Sequence, residues 1–125
     1  MGIKLIRLGM LFVGLGLLAA CTTHTELPPN GAELYTNGRS IYLEYCAECH
    51  QTSGTGVPNV IPRLAGNPVV TLEDPIPIIE TVEFGQGSMT GFRDRLTSDD
   101  IAAVLTYIRN TWGNHAVPVS PRQIQ

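Results

Sequence analysis

The stretch Cys46-Ala47-Glu48-Cys49-His50 decides how the rest of this 125-residue chain is interpreted. Cys-x-x-Cys followed directly by His is the attachment signature of c-type haem. The two thiols can form thioether bonds to the vinyl groups on one porphyrin edge, and the adjacent imidazole can then reach the iron as an axial ligand. The motif therefore predicts one covalently bound haem c, attached through Cys46 and Cys49, with His50 as the proximal ligand.

Three other interpretations of the motif compete with haem attachment. A redox Cys-x-x-Cys of the thioredoxin type needs a βαβ context, and the flanking sequence has none. A closed zinc site needs about four ligands, but there is no second cysteine pair, and His24 and His115 lie near the ends of the chain. The third alternative is a chance match, and the pattern of the remaining chain favours haem attachment instead.

The first twenty residues have the pattern of an export signal. Two basic residues precede an uncharged apolar run of 13 residues, Leu8–Ala20. That run is shorter than the about 20 residues that a membrane-spanning helix needs, and it matches the apolar region of a secretory signal. Leu18-Ala19-Ala20-Cys21 resembles the lipobox of bacterial lipoproteins, so we expect a signal peptide over residues 1–20 and lipidation of Cys21. The alternative is an ordinary signal peptide with an incidental cysteine.

The charge and size of residues 21–125 narrow the classes of function. This part of the chain carries six arginines and no lysine against eleven acidic residues, for a net charge of −5. An acidic surface argues against nucleic acid as a partner, and the length is that of one domain. The charge allows a positively charged redox partner, but net charge alone does not choose one. We expect redox proteins as partners (a dehydrogenase, or a terminal oxidase or reductase), a lipid anchor as the contact with a membrane, and no small-molecule substrate.

Three segments have apolar residues at helical spacing. The first helix is predicted over about residues 38–47, the second from 74 to 84, and the third from 97 to its end at Gly113. The third has the clearest start, Thr97-Ser98-Asp99-Asp100, because a hydroxyl can cap the first amides and two carboxylates suit the positive end of the helix dipole. The pattern predicts a domain built from helices and irregular loops.

The segments between and around these helices are irregular. Residues 50–72 contain six glycines and prolines, yet they also carry many aliphatic side chains. A loop of this length in a compact domain is normally functional, and wrapping one side of a haem explains its apolar content; a disordered linker would have fewer aliphatics. We therefore expect a lipidated tether over residues 21–37, a haem domain over 38–113 and a C-terminal tail over 114–125.

The second axial ligand decides between electron transfer and chemistry at the iron. Met89 is the only methionine after the predicted signal peptide, and it lies among glycines between the second and third helices. We expect Met89 to be the distal ligand; the alternatives are a gap-filling role in the core and ligation by His24 or His115. Neutral thioether sulfur favours ferrous iron and raises the reduction potential relative to bis-histidine ligation. With both axial positions filled, one-electron transfer is the expected activity.

Over roughly residues 38–113 the chain resembles a class I bacterial cytochrome c. It shares that family's early Cys-x-x-Cys-His, its distal methionine loop and its C-terminal amphipathic helix. The resemblance implies an all-α class I cytochrome c fold, with three or four helices and irregular loops wrapped around one covalently bound haem. The string from Val104 to Asn114 is also similar to haem domains in cytochrome subunits of periplasmic dehydrogenases.

The resemblance also implies roles for individual residues. Gly38 and Tyr42 match the glycine and the aromatic of the family's first helix, which crosses the last helix. Pro62 matches the proline whose carbonyl accepts the Nδ1–H of the proximal histidine and so orients it. Thr90 departs from the pattern, since the family usually has proline after the distal methionine. We hypothesise a weaker Met89–iron bond than in a proline-containing relative.

Haem propionates need solvation or a cationic partner, and Arg63, Arg93 and Arg95 are candidates by position, with a role as surface arginines as the alternative. The residues expected to bind the haem are Cys46, Cys49, His50, Met89, Pro62, Tyr42, Arg63 and Phe92.

These features favour an electron carrier rather than an enzyme. We expect a lipid-anchored monohaem cytochrome that faces the periplasm of a bacterial cell envelope and shuttles electrons between respiratory or dehydrogenase partners. One alternative is an electron-transfer subunit that stays docked in a larger oxidoreductase complex, which an exposed apolar patch would favour. Another is a haem sensor or peroxidase-like enzyme with a displaceable Met89.

Overall fold

The computed structural model describes residues 31–125, so the predicted signal peptide, Cys21 and His24 lie outside the described residues. Helices dominate this part of the chain, as the sequence predicted. The elements are α1 (Gly31–Tyr45), α2 (Ala47–His50), α3 (Ile76–Phe84), β1 (Gly85–Gln86), β2 (Met89–Thr90) and α4 (Ser98–Arg109), followed by a 3-10 turn at Pro121–Gln123. Strands β1 and β2 form an antiparallel hairpin with Gln86 opposite Met89.

Helix α1 is longer at its start than the predicted segment, which began near Gly38. It begins at Gly31, so the last part of the predicted tether is helical, and Leu34 and Tyr35 pack against the core. Glycine and asparagine lower the helix propensity of this stretch. Packing of one apolar face supplies more stability than propensity alone, and it extends the helix.

Helix α4 begins as predicted, whereas α3 begins at Ile76, two residues after the predicted start at Asp74. The carboxylate of Asp74 accepts the backbone N–H of Ile76 at 3.0 Å, and Thr97 and Asp100 form a reciprocal capping box at the start of α4. The predicted end of α4 at Gly113 is wrong, because the helix ends at Arg109. Trp112, which lies within the predicted helix, instead follows α4 and has a left-handed backbone with a φ of 53°.

Helices α1 and α4 form the central packing of the domain. They approach each other closely at Gly38, where an added Cβ would overlap the carbonyl of Ala103 and lie 2.9 Å from Cβ of Tyr107. Beside this contact, Tyr42 is fully buried, and its ring centroid lies 5.4 Å from that of Tyr107. The glycine and aromatic that were predicted to cross the last helix do so.

The segment after α4 packs against the domain and is not a loose tail. Val119 and Asn114 are buried. The Asn114 side chain accepts the Gly66 N–H at 2.8 Å and donates to the carbonyls of Leu64 and Ile108. The prediction of a C-terminal tail over residues 114–125 was therefore wrong in that these residues pack against the domain. The prediction used the spacing of apolar residues, and this spacing does not reveal side-chain hydrogen bonds to distant loops.

A buried arginine ties this segment to the loop before α3. Arg109 is fully buried. Its guanidinium donates to the carbonyls of Val70 at 2.8 Å, Leu72 at 2.9 Å and Val117 at 3.1 Å. Burial lowers the pKa of Arg109 from its usual value, and the three carbonyl dipoles compensate the desolvated charge. The residue thus holds three separate stretches of chain together.

No helix within residues 31–125 combines the length and the apolar character that crossing a membrane requires.

Candidate functional site

His50 is the best-fixed side chain of the predicted site. It ends α2, and its backbone N–H donates to the carbonyl of Cys46 at 2.9 Å. The imidazole is 9 % exposed, and its Nδ1 lies 3.0 Å from the carbonyl oxygen of Pro62. A carbonyl only accepts, so Nδ1 carries the hydrogen and Nε2 keeps the lone pair that a metal needs. The contact that the sequence predicted between His50 and Pro62 is present.

The two cysteines of the motif lie on either side of the start of α2 and are not joined in a disulfide. Cys46 is half-buried, and Cys49 is exposed. Burial, and secondarily the neighbouring Cys49, raises the pKa of the Cys46 thiol to about 12. A catalytic redox pair needs at least one thiol with a lowered pKa. A thiol with a raised pKa is a poor nucleophile at neutral pH, so Cys46 itself is not suited to be the attacking thiol of a redox pair.

Gly56 allows the loop to bring the Pro62 carbonyl to His50. Its N–H donates to the His50 carbonyl at 3.0 Å, and Val57 pairs with Ile61 in an isolated bridge. A Cβ at Gly56 would lie 2.6 Å from the Pro62 oxygen, and the φ of 63° is left-handed. We did not identify this residue from the sequence, where Gly54-Thr55-Gly56 indicates only a turn.

The loop after His50 is held by two aromatic side chains. Gln51 has a left-handed φ of 66°, and its carbonyl accepts the Tyr42 hydroxyl at 2.6 Å. The next carbonyl, that of Thr52, accepts the indole N–H of Trp112 at 3.1 Å. Burial raises the pKa of Tyr42 far above its usual value, so this hydroxyl stays a donor. The sequence places Trp112 inside the predicted last helix. It gives no indication of the hydrogen bond from Trp112 to Thr52, which lies 60 positions earlier.

Met89 lies on the hairpin that follows α3. Gly85 ends α3 with a φ of 81°, where a side chain would meet Gly91. The far end of the hairpin is anchored to the last turn of α3, because Phe92 N–H donates to the Val82 carbonyl at 2.9 Å. Met89 itself is half-buried and packs against the core. Its neighbour Thr90 is exposed, so fewer contacts restrain this side than restrain His50.

Arg63 and Phe92 are two further residues that the sequence predicted to contact the haem. Arg63 lies beside Pro62, and its Nε–H donates to the Ala65 carbonyl at 2.8 Å. Phe92 is buried, with its ring edge-on to Tyr45 at 6.3 Å between centroids. Propionate pairing stays a prediction for Arg63.

The other two candidate arginines lie against aromatic rings. The guanidinium of Arg93 lies 5.3 Å from the Phe84 ring, and that of Arg95 lies 5.8 Å from the Tyr45 ring. Pairing of Arg93 or Arg95 with a haem propionate therefore stays a prediction.

Two open cavities flank the residues that the sequence singled out. One, of about 630 Å³, is lined by Thr55 and residues 58–63, which include Pro62. The other, of about 620 Å³, is lined by Val69, Phe84 and the hairpin residues Gly85 and Gln86, among others. Large apolar side chains are exposed at both: Val60 is 71 % exposed and Phe84 56 % exposed.

A small domain normally covers such side chains, and exposed apolar surface marks a binding site when it is contiguous. The donor set of the described residues fits a haem: two thiols at attachment spacing, one imidazole with a free Nε2, one thioether, and an open cavity beside Pro62, the residue that contacts the imidazole. When bound, the haem supplies a reversible one-electron couple. The chain supplies the ligands, the walls and the hydrogen bond that orients the imidazole.

The chain is similar to several known cytochromes. The family model "Cytochrome C oxidase, cbb3-type, subunit III" matches residues 33–108. The cytochrome c subunit of a quinone-dependent alcohol dehydrogenase from Gluconobacter oxydans is 39 % identical over 90 residues, covering 63 % of this chain and 19 % of that protein. Cytochrome c-552 from Thermus thermophilus is 34 % identical over 93 residues, covering 62 % of this chain and 70 % of that protein.

A solved structure shares both fold and sequence. Cytochrome cL from Hyphomicrobium denitrificans superimposes with a TM-score of 0.52 at 28 % identity, over 63 % of this chain and 48 % of that one. This chain therefore spans about half of the cytochrome cL chain and about a fifth of the alcohol dehydrogenase subunit.

The family match covers the motif, the loop, the hairpin and most of α4. The chain belongs to the cytochrome c family, with a class I fold and covalently bound haem c.

Proposed function

We propose that this chain is a membrane-anchored monohaem cytochrome that transfers single electrons with His50 and Met89 as the axial ligands. The observation that carries the proposal is the 3.0 Å contact between His50 Nδ1 and the Pro62 carbonyl. It fixes the tautomer with Nε2 free and raises the basicity of the ring. An electron carrier needs such a fixed ligand, because a site that moves little on oxidation and reduction adds little to the barrier.

Cys46 and Cys49 attach the haem, and Met89 completes the coordination from the hairpin. Filling both axial positions leaves no position for a substrate. The proposal therefore separates an electron carrier from a gas sensor or a peroxidase-like enzyme. A soft thioether on the distal side favours the ferrous state and gives a higher reduction potential than a second imidazole would.

The test compares Met89 with its histidine rivals in the full-length holoprotein. The ferric protein should show the weak far-red band of methionine ligation. That band should vanish in Met89→Ala and persist in His24→Ala and His115→Ala. The ferrous protein should leave carbon monoxide unbound, and Met89→Ala should bind it. A band that survives Met89→Ala, or rapid carbon monoxide binding by the unmodified protein, would move the function to sensing or peroxide chemistry.

The anchoring part of the proposal rests on the sequence before the described residues. Leu18-Ala19-Ala20-Cys21 suits processing before a lipidated cysteine, and the anchored domain would face the periplasm. Expressed in a bacterium, the protein should fractionate with membranes and incorporate labelled fatty acid. Cys21→Ser should abolish labelling and keep the haem spectrum. Equal membrane association and labelling of both forms would contradict lipidation of Cys21.

The partners that we propose are redox proteins, either a dehydrogenase as donor or a terminal oxidase as acceptor. Relatives carry the names of cytochrome subunits of alcohol and gluconate dehydrogenases and of a cbb3-type oxidase. A second candidate function, a subunit that stays docked in a larger complex, is favoured by the names of these relatives, which are subunits of dehydrogenases and of an oxidase. Gentle detergent extraction distinguishes the two, because a docked subunit would migrate with a larger complex and a shuttle would migrate alone.

A further inference from the structure

The backbone directly after His50 has an unusual conformation. Three of six consecutive residues have a left-handed φ: Gln51 at 66°, Gly54 at 66° and Gly56 at 63°. Glycine tolerates this conformation, but Gln51 has a side chain, so its conformation is unfavourable unless the surroundings enforce it. Such strain next to a candidate ligand raises the question of which contacts enforce it.

Two aromatic donors hold the consecutive carbonyls of this segment. The Tyr42 hydroxyl donates to Gln51 O at 2.6 Å, and the Trp112 indole N–H donates to Thr52 O at 3.1 Å. The two donors come from segments that are far apart in the sequence, since Tyr42 is in α1 and Trp112 follows α4. The peptide units that follow His50 are thus held from two sides.

The donors are themselves held in place by ring packing. The Tyr42 and Trp112 centroids lie 5.0 Å apart, and Tyr107 lies 5.4 and 5.6 Å from them. A Cβ at Gly54 would lie 2.5 Å from the Trp112 ring, so the loop and the indole are in direct contact. Trp112 also has a left-handed φ of 53°. This conformation accompanies the orientation in which its N–H meets the loop.

We infer that Tyr42 and Trp112 are positioning residues for the proximal ligand: together they hold the Gln51 and Thr52 carbonyls and thereby fix the His50 ring against the Pro62 carbonyl. The inference rests on the proposed function, in which His50 binds the iron. The Nδ1–H bond to Pro62 sets the basicity of the imidazole, and so contributes to the reduction potential. Loosening the peptide units after His50 lengthens that bond and lowers the electron donation from the ring.

The experiment removes each hydrogen-bond donor while keeping an aromatic ring at each position. Tyr42→Phe and Trp112→Phe are compared with Tyr107→Phe, a matched control. Tyr107 belongs to the same ring cluster, and no hydrogen bond joins its hydroxyl to the loop among the described residues. In each ferrous holoprotein the solvent exchange rate of the His50 Nδ1–H is measured by NMR, together with the reduction potential.

Each donor variant should exchange the His50 Nδ1–H about tenfold faster, as expected for the loss of one hydrogen bond, and should shift the reduction potential. Tyr107→Phe should stay within about twofold of the unmodified protein, because a lost hydroxyl without a partner costs little. The double variant should exchange faster than either single variant. Tyr42→Phe removes a single oxygen atom, so it alone decides the outcome if Trp112→Phe does not accumulate with haem.

Unchanged exchange and potential in the donor variants, with only a lower denaturation midpoint, would overturn the inference and leave these residues a purely structural role. Failure of the proposed function is detected separately. If His50 did not bind the iron, its ring protons in the unmodified protein would lack the large haem-induced shifts, before any variant is compared.

Discussion

The two sides of the proposed haem site are built differently. On the proximal side His50 is buried, its ring bonds to Pro62, and its backbone bonds to Cys46 and Gly56. On the distal side Met89 is half-buried in a two-residue strand, next to exposed residues. The proximal ligand is therefore fixed by a network, whereas the distal ligand depends on one short hairpin.

This contrast indicates where each property of the carrier originates. A rigid proximal side keeps the imidazole basic and its orientation constant. In the proposed His50/Met89 site, the less restrained distal side makes the Met89 thioether the first ligand to be displaced. Thr90 follows Met89 where related proteins usually have proline. It makes the backbone of the hairpin less restrained, because a residue other than proline leaves φ free.

The largest effect is expected from removing the proximal ligand itself. His50→Ala should abolish the low-spin spectrum, because no other imidazole is oriented by the Pro62 carbonyl among the described residues. His115→Ala is the control, since His115 is exposed and lies in the segment after α4. Visible spectra of the two purified variants make the comparison. A low-spin spectrum in His50→Ala, lost in His115→Ala, would reverse the assignment.

The next effect tests the rigidity of the proximal loop. Gly56→Ala should lower the free energy of unfolding by about 3–4 kcal/mol, because the methyl group meets the Pro62 carbonyl and the φ is left-handed. Gly87→Ala in the hairpin is a matched control: its φ of 59° is similar, but nothing lies within 4 Å. Gly87→Ala should lower the free energy of unfolding by only about 1 kcal/mol. Denaturant unfolding of both holoproteins measures the difference, and equal costs would refute the close approach.

A third prediction concerns the loop that links the two sides. Arg109→Met should lower the free energy of unfolding by about 2–3 kcal/mol, because three carbonyls lose their hydrogen-bond donor in a buried position. Arg122→Met, in the exposed 3-10 turn, should change the unfolding midpoint little. Thermal unfolding followed by circular dichroism separates them. If Arg109→Met is as stable as Arg122→Met, the three carbonyl bonds contribute no net stability.

The smallest effect is expected on the distal side. Thr90→Pro should slow the displacement of Met89 by imidazole about two- to fivefold, because a fixed φ removes about 0.4–1 kcal/mol of conformational freedom. Thr90→Ala should leave the rate close to that of the unmodified protein, since it keeps the N–H and the free φ. Stopped-flow mixing of the ferric protein with imidazole gives the rates. An unchanged rate in Thr90→Pro would show that the hairpin is already as restrained as the proximal loop.

The sequence predicted the parts of the molecule that depend on local pattern. The attachment motif, the capping box of Thr97 and Asp100, and the start of α3 are short-range features. The crossing of α1 and α4 at Gly38 followed from the family resemblance, and so did the His50–Pro62 contact.

The features that the sequence did not predict depend on distant partners. Trp112 fits a helical stripe by spacing, yet it donates to Thr52 on the far side of the chain. Arg109 at a helix C-terminus indicates a dipole interaction, but the structure uses it to hold Val70, Leu72 and Val117. Spacing within a segment carries no information about carbonyls contributed by other segments.

X-ray absorption at the iron edge of the oxidised full-length protein tests the central claim most directly. The account predicts a first coordination shell with five nitrogen atoms, four from the porphyrin and one from His50, and one sulfur atom from Met89. The sulfur contribution should disappear in Met89→Ala and persist in Thr90→Ala. A first shell of nitrogen and oxygen alone in the unmodified protein would contradict His50/Met89 ligation and the electron-carrier function derived from it.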